Sequence, residues 1–150
     1  MNKKIIFIDM DGVLVDLQSN IDNLRLINKE YTLLDGDMIP NVFRDPPCIT
    51  YCKEAIGKLI KCNKYELFIA STSPFNNPQA CSDKLYWLQE HFGDVFKKRV
   101  FFTHRKDLLI GDYLIDDRTS NGAGDFKGEF IHFNTEKFRG WKEVVNYLLH

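Results

Sequence analysis

The stretch that decides the fold is IIFIDMDGV, which occupies residues 5–13. Its first four residues are apolar and rich in β-branched side chains, which is typical of a strand buried on both faces of a parallel sheet. The apolar run stops at Asp9, and Asp11 follows two positions later. If the backbone stays extended, residues i and i+2 point the same way, so both carboxylates can face one ligand. Gly12 then allows a tight turn.

Two later apolar runs end in polar residues in the same way. Residues 67–70 (LFIA) are followed by the hydroxyl cluster STS at 71–73. Residues 113–115 (YLI) are followed by Asp116 and Asp117. Because the carboxyl ends of parallel strands meet at one edge of a sheet, these clusters are expected to lie together.

The rest of the chain supplies further strands and helices. Residues 99–102 and 129–133 are shorter strand candidates, which brings the predicted number to five. Apolar residues recur at helical spacing between the strands, over residues 17–31, 50–62, 80–92 and 141–149. Alternating strands and helices indicate right-handed βαβ units. The predicted fold is therefore α/β, a three-layer Rossmann-like open parallel sheet.

Residues 17–47 fit this alternation less well. A helical pattern places Ile21, Leu24 and Ile27 on one face, and a loop-like stretch with Pro40 and Pro46 follows. We interpret residues 17–47 as a small helical cap inserted after the first strand. It would lie over the carboxyl edge of the sheet, within a single domain of residues 1–150.

The composition excludes several classes of protein. The 150 residues carry a formal net charge of −1, so bulk electrostatics do not favour a nucleic acid polymer or an anionic membrane. No apolar run approaches the roughly 20 residues of a membrane helix, and the apolar start ends too early for a secretory signal. The four cysteines lack zinc-site spacing and are expected to be reduced. We expect a cytoplasmic protein.

The polar clusters point to phosphate chemistry. Paired carboxylates repel each other unless a cation intervenes, and Mg²⁺ prefers such oxygen ligands. Hydroxyl groups at the end of a strand suit phosphate oxygens. Lys84 and Lys106 are candidates to offset phosphate charge. Each cluster alone is also consistent with a turn or a solvated surface. Their order along the chain, each after a buried strand, favours the functional interpretation.

These residues resemble a known family. Residues 5–16 (IIFIDMDGVLVD), 68–74 (FIASTSP), 83–88 (DKLYWL) and 111–118 (GDYLIDDR) are similar to motifs of the haloacid dehalogenase (HAD) superfamily. The form of these motifs resembles that of its 5′(3′)-deoxyribonucleotidase branch. The similarity runs over residues 4–18 and about 65–120. It implies a phosphomonoesterase that uses Mg²⁺ and acts on a small phosphorylated substrate, with deoxynucleoside monophosphates as the first expectation.

The resemblance also implies roles for the catalytic and metal-binding residues. Asp9 would attack phosphorus and become an aspartyl phosphate, and Asp11 would act as acid and then as base. Mg²⁺ would be held by Asp9, the backbone carbonyl of Asp11 and Asp116, with Asp117 orienting the water around the ion. The residues implied to bind phosphate are Ser71, Thr72, Lys84 and Lys106.

The sequence departs from this branch in its cap and at one strand end. Asp9 and Ser71 are 62 positions apart, a short distance for a branch whose larger caps carry aromatic residues that stack on the base. Here only Tyr31, Phe43 and Phe75 are available for that role. In addition, His104 stands where many relatives have a phosphate-binding arginine, with Arg105 next to it.

Three alternatives remain open from the sequence. A HAD phosphatase for another small phosphate, such as a sugar phosphate, would share the same catalytic residues. A phospho-acceptor domain of the response-regulator type would carry adjacent acids after its first strand and the acceptor Asp on a middle strand. This chain instead has Asp-x-Asp first and Ser71 in the middle. A binding protein that has lost activity would lack Asp9 or Asp11, and both are present.

Overall fold

The computed structural model describes residues 2–150 of the chain. In this range the strands are β1 (Lys4–Ile8), β2 (Tyr65–Ser71), β3 (Val100–Phe102), β4 (Tyr113–Asp116) and β5 (Glu129–His132). The α-helices are α1 (Leu17–Ile27), α2 (Cys52–Lys61), α3 (Gln79–Phe92) and α4 (Trp141–Leu149). Short 3₁₀ helices lie at Lys29–Leu33, Gly36–Met38, Lys106–Leu108 and Ala123–Asp125. None of the described helices has the length and apolar character needed to cross a bilayer.

The strands form one parallel sheet in the order β3-β2-β1-β4-β5. β1 lies at the centre, where Ile6 pairs with Leu67 of β2 on one side and with Tyr113 of β4 on the other. The chain builds one half of the sheet with β2 and β3, then crosses to build the other half with β4 and β5. The direction of the connections therefore reverses between β1 and β4, and ligands of open α/β sheets bind at such a point. The predicted α/β fold with five parallel strands is confirmed.

Both faces of the sheet are covered, as the apolar sequence of β1 predicts. Ile6 and Ile8 point to one face and pack in the main core, which also contains Trp141 of α4. Phe7 points to the opposite face and meets Phe126, with the ring centroids 6.1 Å apart and the rings nearly perpendicular. The alternation follows from the period of two along a strand. Each such buried side chain contributes roughly 1.5–3 kcal/mol to stability.

Helix α1 is shorter than the predicted helix over residues 17–31. It ends at Ile27 because Asn28 adopts an extended backbone conformation, with φ −133° and ψ 107°. The Asn28 side chain then accepts a hydrogen bond of 3.0 Å from the amide of Glu30 and begins a 3₁₀ turn. The predicted apolar face is wrong at its last position, since Ile27 is 82% exposed whereas Ile21 is 7% exposed.

Residues 17–47, all of which the structure describes, contribute no strand to the sheet. They pack around a separate small cluster whose buried members are Ile21, Ile39, Val42, Phe43 and Ala80. The segment is tied to the rest of the chain by two side chains that donate to its backbone. Asn77 donates to the carbonyl of Asp37 at 2.8 Å, and Trp87 of α3 donates to the carbonyl of Pro46 at 2.8 Å.

Candidate active site

The carboxyl ends of β1, β2 and β4 meet at the point where the connections reverse. Asp9 directly follows β1, Ser71 is the last residue of β2 and Asp116 is the last residue of β4. All three side chains belong to buried residues. The amide of Asp9 donates to the carbonyl of Ile115 at 2.9 Å, so the sheet hydrogen bonding continues one residue past β1. The polar residues that end three separate strands therefore lie side by side.

The loop after β1 is held tightly by backbone hydrogen bonds. The Met10 carbonyl accepts from the amides of residues 13–15 at 2.8 to 3.1 Å. The indole of Trp141, which is 1% exposed, donates to the Val13 carbonyl at 2.7 Å. These contacts fix the position of Asp11 relative to Asp9 without help from a ligand.

Gly12 is required in this loop for two reasons. Its φ of +83° lies in the left-handed region, where side chains with a Cβ are disfavoured. A Cβ atom at this position would also lie 2.2 Å from Oδ2 of Asp117. The absence of a side chain at Gly12 therefore lets the Asp117 carboxylate approach the loop that carries Asp9 and Asp11.

Lys84 of α3 connects the ends of β1 and β2. Its Nζ donates to Oδ2 of Asp11 at 2.8 Å, to Oγ of Ser71 at 2.8 Å and to the carbonyl of Thr72 at 3.0 Å. The residue is 1% exposed, and the three acceptors satisfy all three donors of its ammonium group. Phe43 packs beside the ammonium, with its ring centroid 4.9 Å from Nζ. A buried cation is thus fixed beside the hydroxyl cluster at the end of β2.

Lys106 connects the ends of β1 and β4. Its Nζ donates to Oδ1 of Asp9 at 3.0 Å and to Oδ2 of Asp116 at 2.6 Å. The other Asp116 oxygen, Oδ1, accepts from the amide of Arg118 at 3.0 Å. Burial lowers the pKa of Lys106, but the two carboxylates raise it more, so its pKa lies above the ordinary value. The ammonium group therefore stays charged between its two partners.

The pKa values of Asp9, Asp116 and Asp117 are raised at this site. Burial raises the pKa of Asp9 to about 7; the Lys106 ammonium opposes this shift and the Asp116 carboxylate adds to it. Burial also raises the pKa of Asp116. The pKa of Asp117 is raised to about 6, first by burial and then by the nearby Asp9. A bound cation would relieve the repulsion between these buried carboxylates.

The donor set fits a divalent cation. Asp9, Asp116 and Asp117 each offer a carboxylate oxygen, and these atoms lie within 4.8 Å of one another. Oδ1 of Asp117 and Oδ1 of Asp11 are buried and have no hydrogen-bond partner. Together with Asp11 the site holds four carboxylates but only two ammonium groups, which leaves an excess of two negative charges when all are ionised. Oxygen ligands and this charge suit Mg²⁺.

A cleft of about 540 Å³ opens above these residues. The wall nearer the sheet includes six residues that the sequence singled out: Asp9, Asp11, Thr72, Lys106, Asp116 and Asp117. Ser71 and Lys84 were also singled out but do not line the cleft. They lie behind its wall, where Lys84 contacts two residues that do line it, Asp11 and Thr72. The opposite wall comes from α1 and the turn after it, and includes Gln18, Arg25 and Asp37. No sequence motif pointed to these three residues, because their position depends on how α1 lies over the sheet.

No Phe, Tyr or Trp side chain among residues 2–150 lines this cleft. Phe43 is buried against Lys84, and Tyr31 packs in the small cluster of residues 17–47. Phe75 is 87% exposed and follows Pro74, which does line the cleft. The structure therefore brings none of the three aromatic candidates into the cleft wall.

The neighbouring residues His104 and Arg105 point to different places. His104 lines the cleft, as does Arg118 from the loop after β4. Arg105 instead makes two hydrogen bonds to the carboxylate of Asp107, at 2.9 and 2.7 Å, and is exposed. Of this pair, His104 is the one placed to meet a ligand.

The chain matches a family of known proteins. Residues 28–146 match the model of the family described as "5' nucleotidase, deoxy (Pyrimidine), cytosolic type C protein". This match covers most of the chain and includes Ser71, Lys84, Lys106 and Asp116.

Individual relatives agree with the family match. A protein of Vibrio phage KVP40 named "Putative 5'(3')-deoxyribonucleotidase" is 43% identical over 98% of this chain and 85% of its own length. The 5′(3′)-deoxyribonucleotidase of Bacillus subtilis (strain 168) is 29% identical over 98% of this chain and 99% of its own length.

A solved structure supports the fold. A hydrolase from Streptococcus pneumoniae TIGR4 superposes with a TM-score of 0.58 at 10% sequence identity, covering all of both chains. At this identity the likeness concerns the fold alone.

Proposed function

The chain belongs to the cytosolic type C family of deoxy 5′-nucleotidases and is a phosphatase of the nucleotidase class, and from this premise we propose that it is a Mg²⁺-dependent 5′(3′)-deoxyribonucleotidase. It hydrolyses deoxynucleoside monophosphates through an aspartyl-phosphate intermediate. The reaction takes place in the cleft above Asp9, with residues 17–47 as the cap that faces it.

In the first step a carboxylate oxygen of Asp9 forms a bond to phosphorus, and the bond from phosphorus to the sugar oxygen breaks. Asp11 gives its proton to the departing oxygen, so that a neutral alcohol leaves. Phosphoryl transfer depends on positioning and on neutralising charge. Lys84 and Lys106 supply this neutralisation, because their ammonium groups already lie beside the carboxylates of Asp11 and Asp9. Ser71, whose Oγ accepts from Lys84, adds a hydroxyl contact to the phosphate.

In the second step Asp11, now ionised, removes a proton from a water molecule that attacks the same phosphorus. The acyl-phosphate bond breaks, inorganic phosphate leaves and the Asp9 carboxylate is restored. Acid–base catalysis of this kind contributes typically about 10²–10⁴-fold to the rate. Thr72 lies at the cleft wall and serves as a further phosphate contact, although its hydroxyl donates to the Thr103 carbonyl in this structure.

The Mg²⁺ ligands in this proposal are Asp9, Asp116 and the backbone carbonyl of Asp11, with Asp117 beside the ion. When bound, the ion lowers the repulsion between the Asp9 carboxylate and the phosphate dianion. The buried Oδ1 of Asp117, which has no hydrogen-bond partner, supports the presence of a cation next to it.

One observation carries the proposal: each of two buried lysines joins a carboxylate of β1's loop to the end of another strand. Lys84 links Asp11 to Ser71, and Lys106 links Asp9 to Asp116. A site for structural ion pairs alone would not need the additional carboxylate of Asp117, nor an open cleft above the pairs. In the proposed mechanism Asp9 is the nucleophile and Asp11 is the acid. Ser71 and the two lysines are the phosphate-binding groups.

A second candidate is a phosphatase for another small phosphate, such as a sugar phosphate. The polar cleft favours it, because no Phe, Tyr or Trp side chain of the described residues is placed to stack on a base. The two candidates share their catalytic residues and differ only in what the wall formed by α1 accepts.

Release of inorganic phosphate from a panel of substrates tests the proposal. We expect Mg²⁺-dependent hydrolysis of thymidylate and deoxyuridylate, in preference to sugar phosphates, and loss of activity in EDTA. The variant Asp9→Asn should lose turnover while its thermal unfolding remains cooperative. Undiminished hydrolysis by this variant would rule out Asp9 as the nucleophile, and a preference for sugar phosphates would favour the second candidate.

A further inference from the structure

The wall of the cleft opposite the catalytic carboxylates is chemically distinct from the sheet side. Along α1 the residues that face the cleft are Leu17, Gln18, Ile21 and Arg25, at the spacing of one helix face. The cleft volume of about 540 Å³ is in the range of sites that hold a whole small molecule. The part of a substrate remote from its phosphate must therefore meet this wall.

Arg25 carries the positive charge on this wall. Within the chain its guanidinium makes one hydrogen bond, from Nη2 to the carbonyl of Leu34 at 2.9 Å. Its Nε is buried and has no partner. Among residues 2–150 no carboxylate forms an ion pair with it. A guanidinium has five N–H donors, so most of its hydrogen-bonding capacity is unused.

This state of Arg25 contrasts with that of three other cations near the site, whereas Arg118, which also lines the cleft, likewise has no ion pair among residues 2–150. Lys84 and Lys106 have carboxylate partners, and Arg105 is paired with Asp107. The contact with Leu34 fixes the guanidinium at the cleft wall but leaves its charge uncompensated. Buried N–H groups are normally paired, and an orphaned one in a binding cleft indicates a missing acceptor.

We propose that Arg25 is a specificity-determining residue that donates hydrogen bonds to an acceptor oxygen on the part of the substrate remote from the phosphate. The inference rests on the proposed function and extends it. In a deoxynucleotide the acceptor is a carbonyl oxygen of the base or, in a bisphosphate, an oxygen of the second phosphate. Both present the same chemistry to a guanidinium.

The test compares the KM and kcat of the variant Arg25→Met with those of the unchanged protein. The substrates are deoxyuridine 5′-monophosphate, deoxyuridine 3′,5′-bisphosphate and phenyl phosphate, which has no acceptor away from its phosphate. We expect KM to rise about tenfold for a substrate that uses Arg25, as for one charge-assisted hydrogen bond. For phenyl phosphate KM and kcat should stay unchanged.

The pattern across substrates identifies the acceptor. A rise in KM for both nucleotides assigns Arg25 to the base, whereas a rise for the bisphosphate alone assigns it to the second phosphate. Lys29→Met is the matched control, because Lys29 is an exposed cation of the same segment that does not line the cleft. It should leave KM unchanged for all three substrates.

Two results would overturn the inference. The first is a KM within twofold of the unchanged protein for both nucleotides in Arg25→Met. The second is an equal loss of kcat on all three substrates, phenyl phosphate included, which indicates a purely structural role. Failure of the proposed function would look different, since the unchanged protein would then hydrolyse neither nucleotide, whether or not it hydrolyses phenyl phosphate.

Discussion

The Nζ atom of Lys106 lies 2.6 Å from Oδ2 of Asp116, and both side chains are almost fully buried. The same ammonium also binds Asp9, so one cation holds together the ends of β1 and β4. These two strands flank the point where the connections of the sheet reverse. The hydrogen bonds of Lys106 therefore maintain the geometry of the proposed metal and nucleophile site.

The variant Lys106→Met should lose both stability and activity. Two buried carboxylates are left without their cation, and breaking such a pair costs about 3–5 kcal/mol. Thermal unfolding in EDTA measures this loss, and added Mg²⁺ should recover part of it because the ion supplies the missing charge. Arg105→Met is the control, since the exposed pair of Arg105 with Asp107 should contribute little. Equal effects of the two substitutions would contradict the assigned role of Lys106.

The variant Gly12→Ala should damage the proposed metal site directly. The new Cβ would meet Oδ2 of Asp117 at 2.2 Å in a backbone conformation with φ +83°. We expect a loss of about 1–3 kcal/mol in the free energy of unfolding and a weaker response to Mg²⁺. Isothermal titration with Mg²⁺ and denaturant unfolding measure these effects.

Gly57→Ala provides the matched control for that substitution. Gly57 lies inside α2, and a Cβ there would meet nothing within 4 Å. Alanine is a better helix former than glycine, so the variant should be more stable by up to about 1 kcal/mol. Its Mg²⁺ binding should be unchanged. If both variants lost Mg²⁺ binding alike, the close approach of Asp117 to Gly12 would not be the cause.

The sequence predicts the fold and the core of the site for one physical reason. A strand buried on both faces must be apolar, and the residue at which it meets the ligand must be polar. The change from Ile8 to Asp9 is therefore visible in the sequence, as is the change from Ile115 to Asp116. Parallel pairing then places both acids at one edge without further information.

The sequence does not predict the features that depend on how the helices pack. Ile60 and Leu85 match the apolar pattern of their helices, yet they are 46% and 39% exposed because they lie at the margin of the packed face. Arg25 looks like any surface arginine of an amphipathic helix. Only the position of α1 over the sheet turns it toward the cleft, and that position is set by the contacts of residues 17–47.

The variant Asp11→Asn separates the two chemical steps. An amide cannot give or take the proton that the proposed mechanism assigns to Asp11. With p-nitrophenyl phosphate, whose leaving group needs no proton, Asp9 should still be phosphorylated, but the intermediate should persist. Mass spectrometry of the denatured protein should show one added phosphoryl group, localised to the peptide that contains Asp9. Asp9→Asn is the control and should remain unmodified, and a label on any other residue would contradict the mechanism.

The response of stability to Mg²⁺ should depend on pH. Burial raises the pKa of Asp9 to about 7 and that of Asp117 to about 6, above the ordinary value of 3.8. Between pH 4 and 7 the folded, metal-free protein thus binds more protons than the unfolded chain at these groups. Their contribution to stability is greatest at low pH and decreases as the pH rises through this window.

Mg²⁺ competes with these protons, because metal ligation requires the ionised carboxylates. The increase in Tm caused by a fixed Mg²⁺ concentration should therefore be small at pH 5.5 and several degrees larger at pH 8. Differential scanning calorimetry with and without EDTA at both pH values measures it. Asp117→Asn removes one of the three site carboxylates whose pKa is raised and should reduce the difference between the two pH values. An increase in Tm that is the same at pH 5.5 and pH 8 would show that the ion does not bind at Asp9 and Asp117.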